Sequence, residues 1–587
     1  MLAVCHPDEL PEQAVEHLEG PEVGGPANPE LTAALHGQGS SRAGYELQRR
    51  HAWRSQDDRL RFSPARSEQN GRVTTTTAPP RPAPAGEHVP AGSRLLPVLA
   101  ALAVVAGVVF RLHSQSALWL DEALSVNIAK LPLSELPAAL RQDGAPPLYY
   151  LLLHGWMAVF GTSTTAVRAL SAVFAVAALP LAWLLGRRLA DARTGWIALL
   201  LLASSPFAVR YATETRMYSL VLVLVLVGGS LLVEALRRPT LPRLLGVALC
   251  TTALMLTHYW ALYLLTTTGA LLLVLSLRGG RQPAARRCVG ALVVGGLLFL
   301  PWLPSFLFQA EHTGTPWVNA PKPSAVLSSI GVWGGGLNTA AGGLLLLLLV
   351  ALAVLALLGR RVDGGVVLAV PVSRTAAALC LVSLGTLVLG IALAVVTSAG
   401  YAPRYSSAAF GPFLVLAAMG ATALPRRART PLLAVAVAAG LFGSAMVPLS
   451  HLRTEAPRIA RALRAELQPG DLVVYCPDQT GPAVSRLLPV STDQVVYPTL
   501  GRPERVDWVD YAQRNAKASP TAFADRVLAR TSHTIWLVAA GQHLTFGHQC
   551  EDLDRILTAR RGGRELLVPI SKRYGEWAQL TRYAPAG

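Results

Sequence analysis

Two adjacent carboxylates, Asp121 and Glu122, follow closely on the first long apolar segment of the chain. They are therefore expected at the edge of a membrane, where a carboxylate costs free energy and needs a function or a partner. A carboxylate in this position could take the proton from an acceptor hydroxyl beside a lipid-linked substrate. Helix capping is the alternative, since Asp and Glu favour helix N-termini. The two carboxylates alone do not distinguish a role in proton removal from helix capping.

The composition is that of a membrane protein. Of the 587 residues, 52% are hydrophobic and 15% are charged, whereas soluble domains carry about 25% charged residues. Much of the net charge of +17 lies in short Arg-rich loops between apolar segments, which is the positive-inside pattern. We therefore predict an α-helical polytopic membrane protein that binds no nucleic acid.

Apolar runs alternate with short loops from residue 95 to residue 448. Because a spanning helix needs about 20 apolar residues, these runs predict about eleven spans. Their approximate bounds are 95–112, 164–186, 194–210, 217–236, 243–257, 260–277, 288–308, 338–359, 375–397, 405–424 and 430–448.

The apolar run 146–160, which is short for a span, decides the topology. If it crosses the membrane, most basic loops fall outside, but if it lies along the interface they face the cytoplasm, as the positive-inside rule requires. The basic residues of these loops are Arg187, Arg188 and Arg193; Arg237, Arg238 and Arg243; those of 278–287; Arg360, Arg361 and Arg374; and Arg426, Arg427 and Arg429. We therefore predict a cytoplasmic N-terminus, an extracytoplasmic C-terminus and interfacial helices over 123–160.

This topology brings the polar groups that could take part in catalysis to the outer face. The segments that emerge there together are Asp121-Glu122, Glu214-Thr215-Arg216, His258-Tyr259-Trp260 and Tyr401-Ala402-Pro403-Arg404-Tyr405. Their convergence, with the arginine-rich loops on the opposite face, predicts an outward-facing active site.

Two further regions flank the membrane segment 95–448. Residues 1–94 are rich in Pro, Gly, Ser, Thr and charge, which predicts a disordered tail without a signal peptide. A true start downstream of Met1 is an open alternative.

Residues 449–587 alternate predicted strands, such as 471–475 and 534–540, with helices, which predicts a small extracytoplasmic α/β domain. If this domain is extracytoplasmic, Cys476 and Cys550 could form a disulfide.

Several short motifs occur in a fixed order along the chain. They are Trp119–Ala123, Pro146–Tyr150, Phe160-Gly161 leading to Val167–Ser171, Glu214–Tyr218, and Pro403–Tyr405. The ordered set resembles the integral-membrane GT-C glycosyltransferases that use polyprenyl-phosphate sugars. By pattern it is most similar to the group of bacterial protein O-mannosyltransferases and lipid A aminoarabinose transferases. The resemblance covers about residues 95–425 and implies a GT-C fold.

The resemblance implies roles for the carboxylates of the first outer loop. Asp121 would be the general base that deprotonates the acceptor hydroxyl as it attacks the anomeric carbon. One-step displacement would invert that centre, and the lipid phosphate would leave without a general acid. Glu122 would orient the acceptor, hold a cation or share the base role.

A phosphate donor would need cationic ligands, and three arginines are candidates. Arg404 is the first choice because Tyr401 and Tyr405 flank it, and Arg216 is the second. Snorkelling to lipid headgroups is the alternative for both, and Glu214 could pair with Arg216. Arg168 would either contact the phosphate or brace Asp121 or Glu122.

The remaining candidate cleft residues are His258 and Asp143. His258 is more often an interfacial histidine than a ligand, and Asp143 precedes the Pro146-Pro147 turn. Asp121, Glu122 and His258 could hold a divalent cation, but adjacent carboxylates are not a metal-spacing signature, so no metal is assigned.

The predicted function is that of an inverting glycosyltransferase in a bacterial plasma membrane. The resemblance favours mannose as the sugar and a glycan, glycolipid or protein hydroxyl as the acceptor. A secondary transporter or flippase is the alternative, although transporters place charges at mid-membrane and show internal repeats. A structural membrane protein would not explain why carboxylates and arginines meet in the outer loops.

Overall fold

The computed structural model describes residues 92–278, 282–314, 318, 320–362, 365–368, 372–450, 452–541 and 544–586. Residues 1–91 of the predicted disordered tail lie outside this range. The membrane segment and the C-terminal domain belong to the same unit.

Helices dominate the chain up to residue 450. They are α1 (Gly92–Leu112), α2 (Leu120–Ala129), α3 (Leu136–Asp143), α4 (Leu148–Phe160), α5 (Thr164–Leu189), α6 (Ala192–Ala203), α7 (Pro206–Ala212), α8 (Tyr218–Arg237), α9 (Leu241–Met255), α10 (Ala261–Arg278), α11 (Gln282–Leu297), α12 (Leu303–His312), α13 (Ala325–Trp333), α14 (Ala340–Leu358), α15 (Arg374–Val396), α16 (Ser407–Ala423) and α17 (Arg426–Ser450). A hairpin of β1 (Gly359–Val362) and β2 (Gly365–Leu368) joins α14 to α15.

Nine candidate spans in the described part of the chain are long and apolar enough to cross a membrane, and the bent pair α6–α7 would make a tenth. The predicted number of about eleven is therefore reached only if α9, a 15-residue apolar helix, also spans. Helices α2, α3 and α4 occupy the first loop, where interfacial helices were predicted. The predicted class, a polytopic helical membrane protein with a small C-terminal α/β domain, is confirmed.

The bend between α6 and α7 is 60° and frees backbone carbonyls inside the membrane segment. Arg111 of α1, which is buried, donates hydrogen bonds to the carbonyls of Leu202 and Ala203 at 2.6 and 2.8 Å. Ser444 of α17 donates to the carbonyl of Ser204 at 3.0 Å. Because an unsatisfied carbonyl in lipid costs several kcal/mol, these partners make the break tolerable.

The turn from α4 into α5 sets where the first loop ends. Gly161 closes α4 with a φ of +79°, a conformation that favours glycine. Ser163 then caps α5 by accepting a hydrogen bond from the N–H of Ala166. Arg168 consequently lies within the first two turns of α5.

The C-terminal domain combines strands and helices as predicted. Its strands are β3 (Leu452–Thr454), β4 (Leu472–Cys476), β5 (Asp493–Val496), β6 (Ile535–Ala539), β7 (Glu565–Val568), β8 (Tyr574–Glu576) and β9 (Gln579–Tyr583). Its helices are α18 (Ala456–Glu466), α19 (Gly481–Ser485), α20 (Tyr511–Ala516), α21 (Pro520–Arg530) and α22 (Gln549–Arg561).

The main sheet of this domain has the order β5-β4-β6-β9-β7, and β3 pairs with β8 in a separate sheet. Strands β4, β5 and β6 are parallel, while β9 runs antiparallel to β6 and β7. Every residue of β4 and β6 is buried, as expected for central strands covered on both faces. Cys476 and Cys550 form a disulfide between β4 and α22, with Cα atoms 5.5 Å apart.

Candidate active site

Glu122 lies fully buried in the first turn of α2 and is held by a network of donors. Arg168 makes a bidentate contact with it, Nε to Oε1 at 2.7 Å and Nη2 to Oε2 at 2.5 Å. The N–H of Thr215 donates to Oε1 at 2.8 Å. Burial alone would raise the pKa of Glu122, but the charge and hydrogen bonds of Arg168, with Arg453 and Thr215, hold it below its usual value. Both oxygens of Glu122 therefore accept hydrogen bonds from donors that favour its ionised form.

Arg168 uses its whole guanidinium to fix the first loop. Besides Glu122, it donates to the hydroxyl of Ser114 at 2.9 Å and to the carbonyls of Ser116 and Ala117 at 2.5 and 3.0 Å. Every N–H donor of the side chain is then in use. Of its two predicted roles, this geometry supports the brace and leaves no donor for a phosphate.

Arg453, which the sequence analysis did not single out, joins the same network from β3. It donates to the carbonyl and hydroxyl of Thr213 at 2.6 and 2.7 Å. Its guanidinium also lies 3.6 Å from Glu122 and 3.9 Å from Glu214. Glu214 is buried and lies 3.7 Å from Arg210, so its ion pairs are with Arg210 and Arg453 rather than with the predicted Arg216.

Asp121 has a different environment from its neighbour. Its carboxylate lies 3.8 Å from the guanidinium of Arg404, and the residue is 7% exposed. Arg404 begins the turn before α16, and its guanidinium also lies 5.8 Å from the ring of Trp119 and 5.7 Å from that of Tyr405. A loose ion pair of this length can separate to admit a substrate, unlike the bidentate pair of Glu122.

Arg216 contacts the backbone of Asp121. Its Nη1 donates to the carbonyl of Asp121 at 3.3 Å and to the hydroxyl of Ser125 at 3.0 Å. Asp143 accepts a hydrogen bond from Tyr150 at 3.0 Å. Desolvation raises the pKa of Asp143, although the charge of Arg216 and the bond from Tyr150 oppose the shift.

Aromatic rings close the site opposite the carboxylate. The ring of Tyr405 lies 5.3 Å from that of His258 and 6.0 Å from that of Tyr401, which contacts Ser329. Burial, with the positive charges of Arg216 and Arg404, lowers the pKa of His258 to about 3, so its ring is neutral.

A small apolar cavity of about 10 Å³ adjoins this site, lined by Phe207, Tyr211, Tyr218, Ser407 and Phe410 among others. The hydroxyls of Tyr218 and Ser407 are buried and have no hydrogen-bond partner in the described part of the chain. Buried hydroxyls are rarely left without partners, and a cavity of this size has room for about one water molecule.

The segments predicted to converge are thus brought together around Asp121, Arg404, Arg216 and His258. Arg188 and Arg243, from two of the basic loops, both pair with Glu234 at 3.6 and 3.5 Å.

A cation held by Asp121, Glu122 and His258 does not fit the geometry. Within the described ranges no three His, Cys, Asp or Glu residues gather as metal ligands. Both oxygens of Glu122 face Arg168 instead.

Comparison with known proteins agrees with this arrangement. Residues 144–304 match the family model of dolichyl-phosphate-mannose-protein mannosyltransferases. No curated protein matches the chain in sequence. The crystal structure of ArnT from Cupriavidus metallidurans bound to undecaprenyl phosphate is similar in fold, with a TM-score of 0.56 and 14% identity. The similarity covers 84% of this chain and 98% of that one.

Two other structures are similar at a lower level. The Saccharomyces cerevisiae Pmt1-Pmt2 complex bound to the sugar donor has a TM-score of 0.30 and 16% identity, over 38% of this chain and 35% of its own. The Archaeoglobus fulgidus oligosaccharyltransferase has a TM-score of 0.43 and 12% identity, over 75% of this chain and 68% of its own. These two similarities carry no weight in the assignment.

The resemblance predicted from the motifs is therefore confirmed, and the fold is that of ArnT. The predicted class of enzyme, a glycosyltransferase, is confirmed by the family match.

Proposed function

We propose that this protein is an inverting glycosyltransferase that moves a sugar from a polyprenyl-phosphate donor to an acceptor hydroxyl, with Asp121 as the base. The observation that carries the proposal is the loose 3.8 Å pairing of Asp121 with Arg404 at one mouth of the helical bundle. A carboxylate and a guanidinium side by side supply the two functions that such a displacement requires, proton removal and binding of the leaving phosphate.

The reaction follows from these two groups. The acceptor oxygen attacks the anomeric carbon while its proton passes to the carboxylate of Asp121. The bond from the anomeric carbon to the phosphate oxygen breaks, and the electron pair leaves with the phosphate. Arg404 stabilises the charge that develops there. Attack from the face opposite the leaving group inverts the anomeric centre.

Glu122 and Arg168 have no chemical step in this proposal. Their mutual bidentate pair consumes the groups that a substrate would need. Arg216 lies close enough to help with the donor, and His258, Tyr401, Tyr405, Glu214 and Asp143 shape or support the cleft. No cation is assigned.

The family description names dolichyl-phosphate mannose and the ArnT structure holds undecaprenyl phosphate, so a polyprenyl-phosphate mannose is the first donor we propose. The acceptor is a hydroxyl of a glycan, a glycolipid or a protein. The arginine-rich loops support a site on the outer face, and we propose that the membrane is the plasma membrane of a bacterium. The Cys476–Cys550 disulfide supports an extracytoplasmic domain 449–587.

The proposal is tested with a panel of synthetic polyprenyl-phosphate sugars in which mannose, 4-amino-arabinose, galactose and glucose are each radiolabelled. Purified protein is supplied with an envelope extract as acceptor, with and without EDTA, and freed polyprenyl phosphate is measured in parallel. We expect one donor to be consumed and its sugar to appear in the extract with the opposite anomeric configuration. No consumption of any donor, or retention of configuration, would contradict the proposal.

A further inference from the structure

Helix α2 carries Asp121 in its first turn, and Glu122 in the same turn accepts a hydrogen bond from the N–H of Trp119 at 3.5 Å. The first N–H groups of a helix have no partner inside it. The residue before α2 is Trp119, whose side chain offers no oxygen. The N–H of Leu120 instead donates to Oε1 of Glu576 at 2.8 Å. This carboxyl belongs to β8 of the C-terminal domain, 456 residues further along the chain.

The apolar side of α2 also packs in the C-terminal domain. Trp119, Leu120 and Leu124 belong to a core cluster whose other members all come from that domain. Ala123 belongs to a second such cluster, with α18, α19 and the other face of the sheet. The helix that carries the proposed base is therefore built into the C-terminal domain on one side and pinned by Arg168 on the other.

We propose that Glu576 is a positioning residue of the active site, which holds the first turn of α2 so that Asp121 faces Arg404. The catalytic part of this inference rests on the proposed function, whereas the structural part does not. The hydrogen bond sets both the position of Leu120 and the direction of the next side chain, because Asp121 follows it on the same turn.

The environment of Glu576 suits this role. The residue is 5% exposed, and its other neighbours are the hydroxyl of Thr454 and the carboxylate of Asp121. Burial raises the pKa of Glu576 to about 8, helped by the charge of Asp121. A largely protonated carboxyl accepts the N–H of Leu120 without adding a full negative charge beside the proposed base.

The kinetic test compares Glu576→Ala and Glu576→Gln with the wild type. Glutamine keeps an oxygen that accepts the Leu120 N–H, while alanine keeps none. We expect Glu576→Ala to lower kcat about 10- to 100-fold, the usual cost of a misplaced catalytic group, with an unchanged KM for the donor. Glu576→Gln should restore most of kcat. Wild-type kcat in Glu576→Ala, or equal losses in both variants, would overturn the proposal.

Hydrogen exchange provides a readout that needs no activity. In the wild type the peptide covering 119–124 should exchange slowly, and Glu576→Ala should speed its exchange more than that of α5. The control is Glu466→Ala, a partly buried glutamate of the same domain that pairs with Arg582 at 2.6 Å. It should leave the 119–124 peptide unchanged. Slow exchange in Glu576→Ala would refute positioning even if no donor is ever turned over, so this failure is distinct from failure of the proposed function.

Discussion

Asp121 and Glu122 are neighbours in sequence but have opposite surroundings. Arg168 and the Thr215 N–H donate hydrogen bonds to the Glu122 carboxylate, whereas the Asp121 carboxylate lies 3.8 Å from the Arg404 guanidinium. The sequence could predict that this pair matters, because two carboxylates at a membrane edge need a reason. The sequence could not assign a separate role to each carboxylate. The roles depend on which side chain of α2 faces α5 and which faces the start of α16.

Because Glu122 belongs to a buried ion pair, Glu122→Ala should destabilise the protein much more than Asp121→Asn. Removing one member of a buried ion pair leaves the other charge uncompensated and typically costs about 3–5 kcal/mol. Thermal unfolding in detergent, followed by loss of monodisperse protein, measures the difference. A Glu122→Ala variant that is as stable as the wild type but inactive would instead favour a catalytic role for Glu122.

Arg404→Ala should weaken donor use without unfolding the chain. Loss of charge-assisted hydrogen bonds to a phosphate costs about 1.5–3 kcal/mol, which is roughly a 10- to 150-fold rise in the donor KM. Arg404→Lys should restore the donor KM only in part, because an ammonium group lacks the planar, bidentate geometry of a guanidinium. Arg426→Ala, an exposed arginine at the opposite end of the bundle, serves as the control. Equal donor KM values in wild type and Arg404→Ala would show that Arg404 is a headgroup anchor.

Among the elements, the long helices were predictable because their apolar runs approach the length of a bilayer. The break between α6 and α7 was not, since it depends on Arg111 of a distant helix supplying hydrogen bonds to Leu202 and Ala203. Nor did any local pattern distinguish the short helices α2 and α3, whose stability comes from packing against other elements.

Helix α16, which begins just after Arg404, packs closely on α14 through Gly420. A Cβ at Gly420 would lie 1.7 Å from the carbonyl oxygen of Leu352, so Gly420→Ala must push the two helices apart. We expect a loss of stability of about 1–3 kcal/mol or more, with lower activity. Gly290→Ala is the control, because a Cβ there meets nothing within 4 Å. Similar melting temperatures for the two variants in detergent would contradict this packing.

For the whole molecule, residues of the C-terminal domain and of the membrane segment meet at the candidate active site. Arg453 and Glu576 reach the first loop from the C-terminal domain. Neither was predictable, since Arg453 merely follows the last apolar run and Glu576 lies in a short strand without a motif. The domain's alternating strands and helices were visible in the sequence, but its contact with α2 exists only in the folded chain.

The stability of the folded chain should depend on pH through Glu576, which joins the C-terminal domain to α2. The carboxyl of Glu576 has an ordinary pKa of 4.5, and burial raises it to about 8 in the folded chain. Between these values the folded state binds more protons than the unfolded state, so stability falls as pH rises across that window. The slope contributed is at most about 1.4 kcal/mol per pH unit.

The difference in melting temperature between wild type and Glu576→Gln, measured from about pH 4.5 to about pH 10, isolates the contribution of the Glu576 carboxyl. The wild type should lose stability relative to the variant as pH rises, and the difference should level off above pH 8. A constant difference across the range would show that Glu576 does not titrate there. The groups facing it are the Leu120 N–H, Thr454 and Asp121.

The most direct measurement is a single-turnover assay with the donor that the panel identifies, comparing wild type, Asp121→Asn and Asp510→Asn at matched abundance. Asp510 is an exposed aspartate of the C-terminal domain that pairs with His312. The account predicts that wild type and Asp510→Asn transfer the label at equal rates. It predicts that Asp121→Asn still binds the donor but transfers the label at least about 10²-fold more slowly, as loss of a positioned base requires. Transfer at the wild-type rate by Asp121→Asn would contradict the central claim.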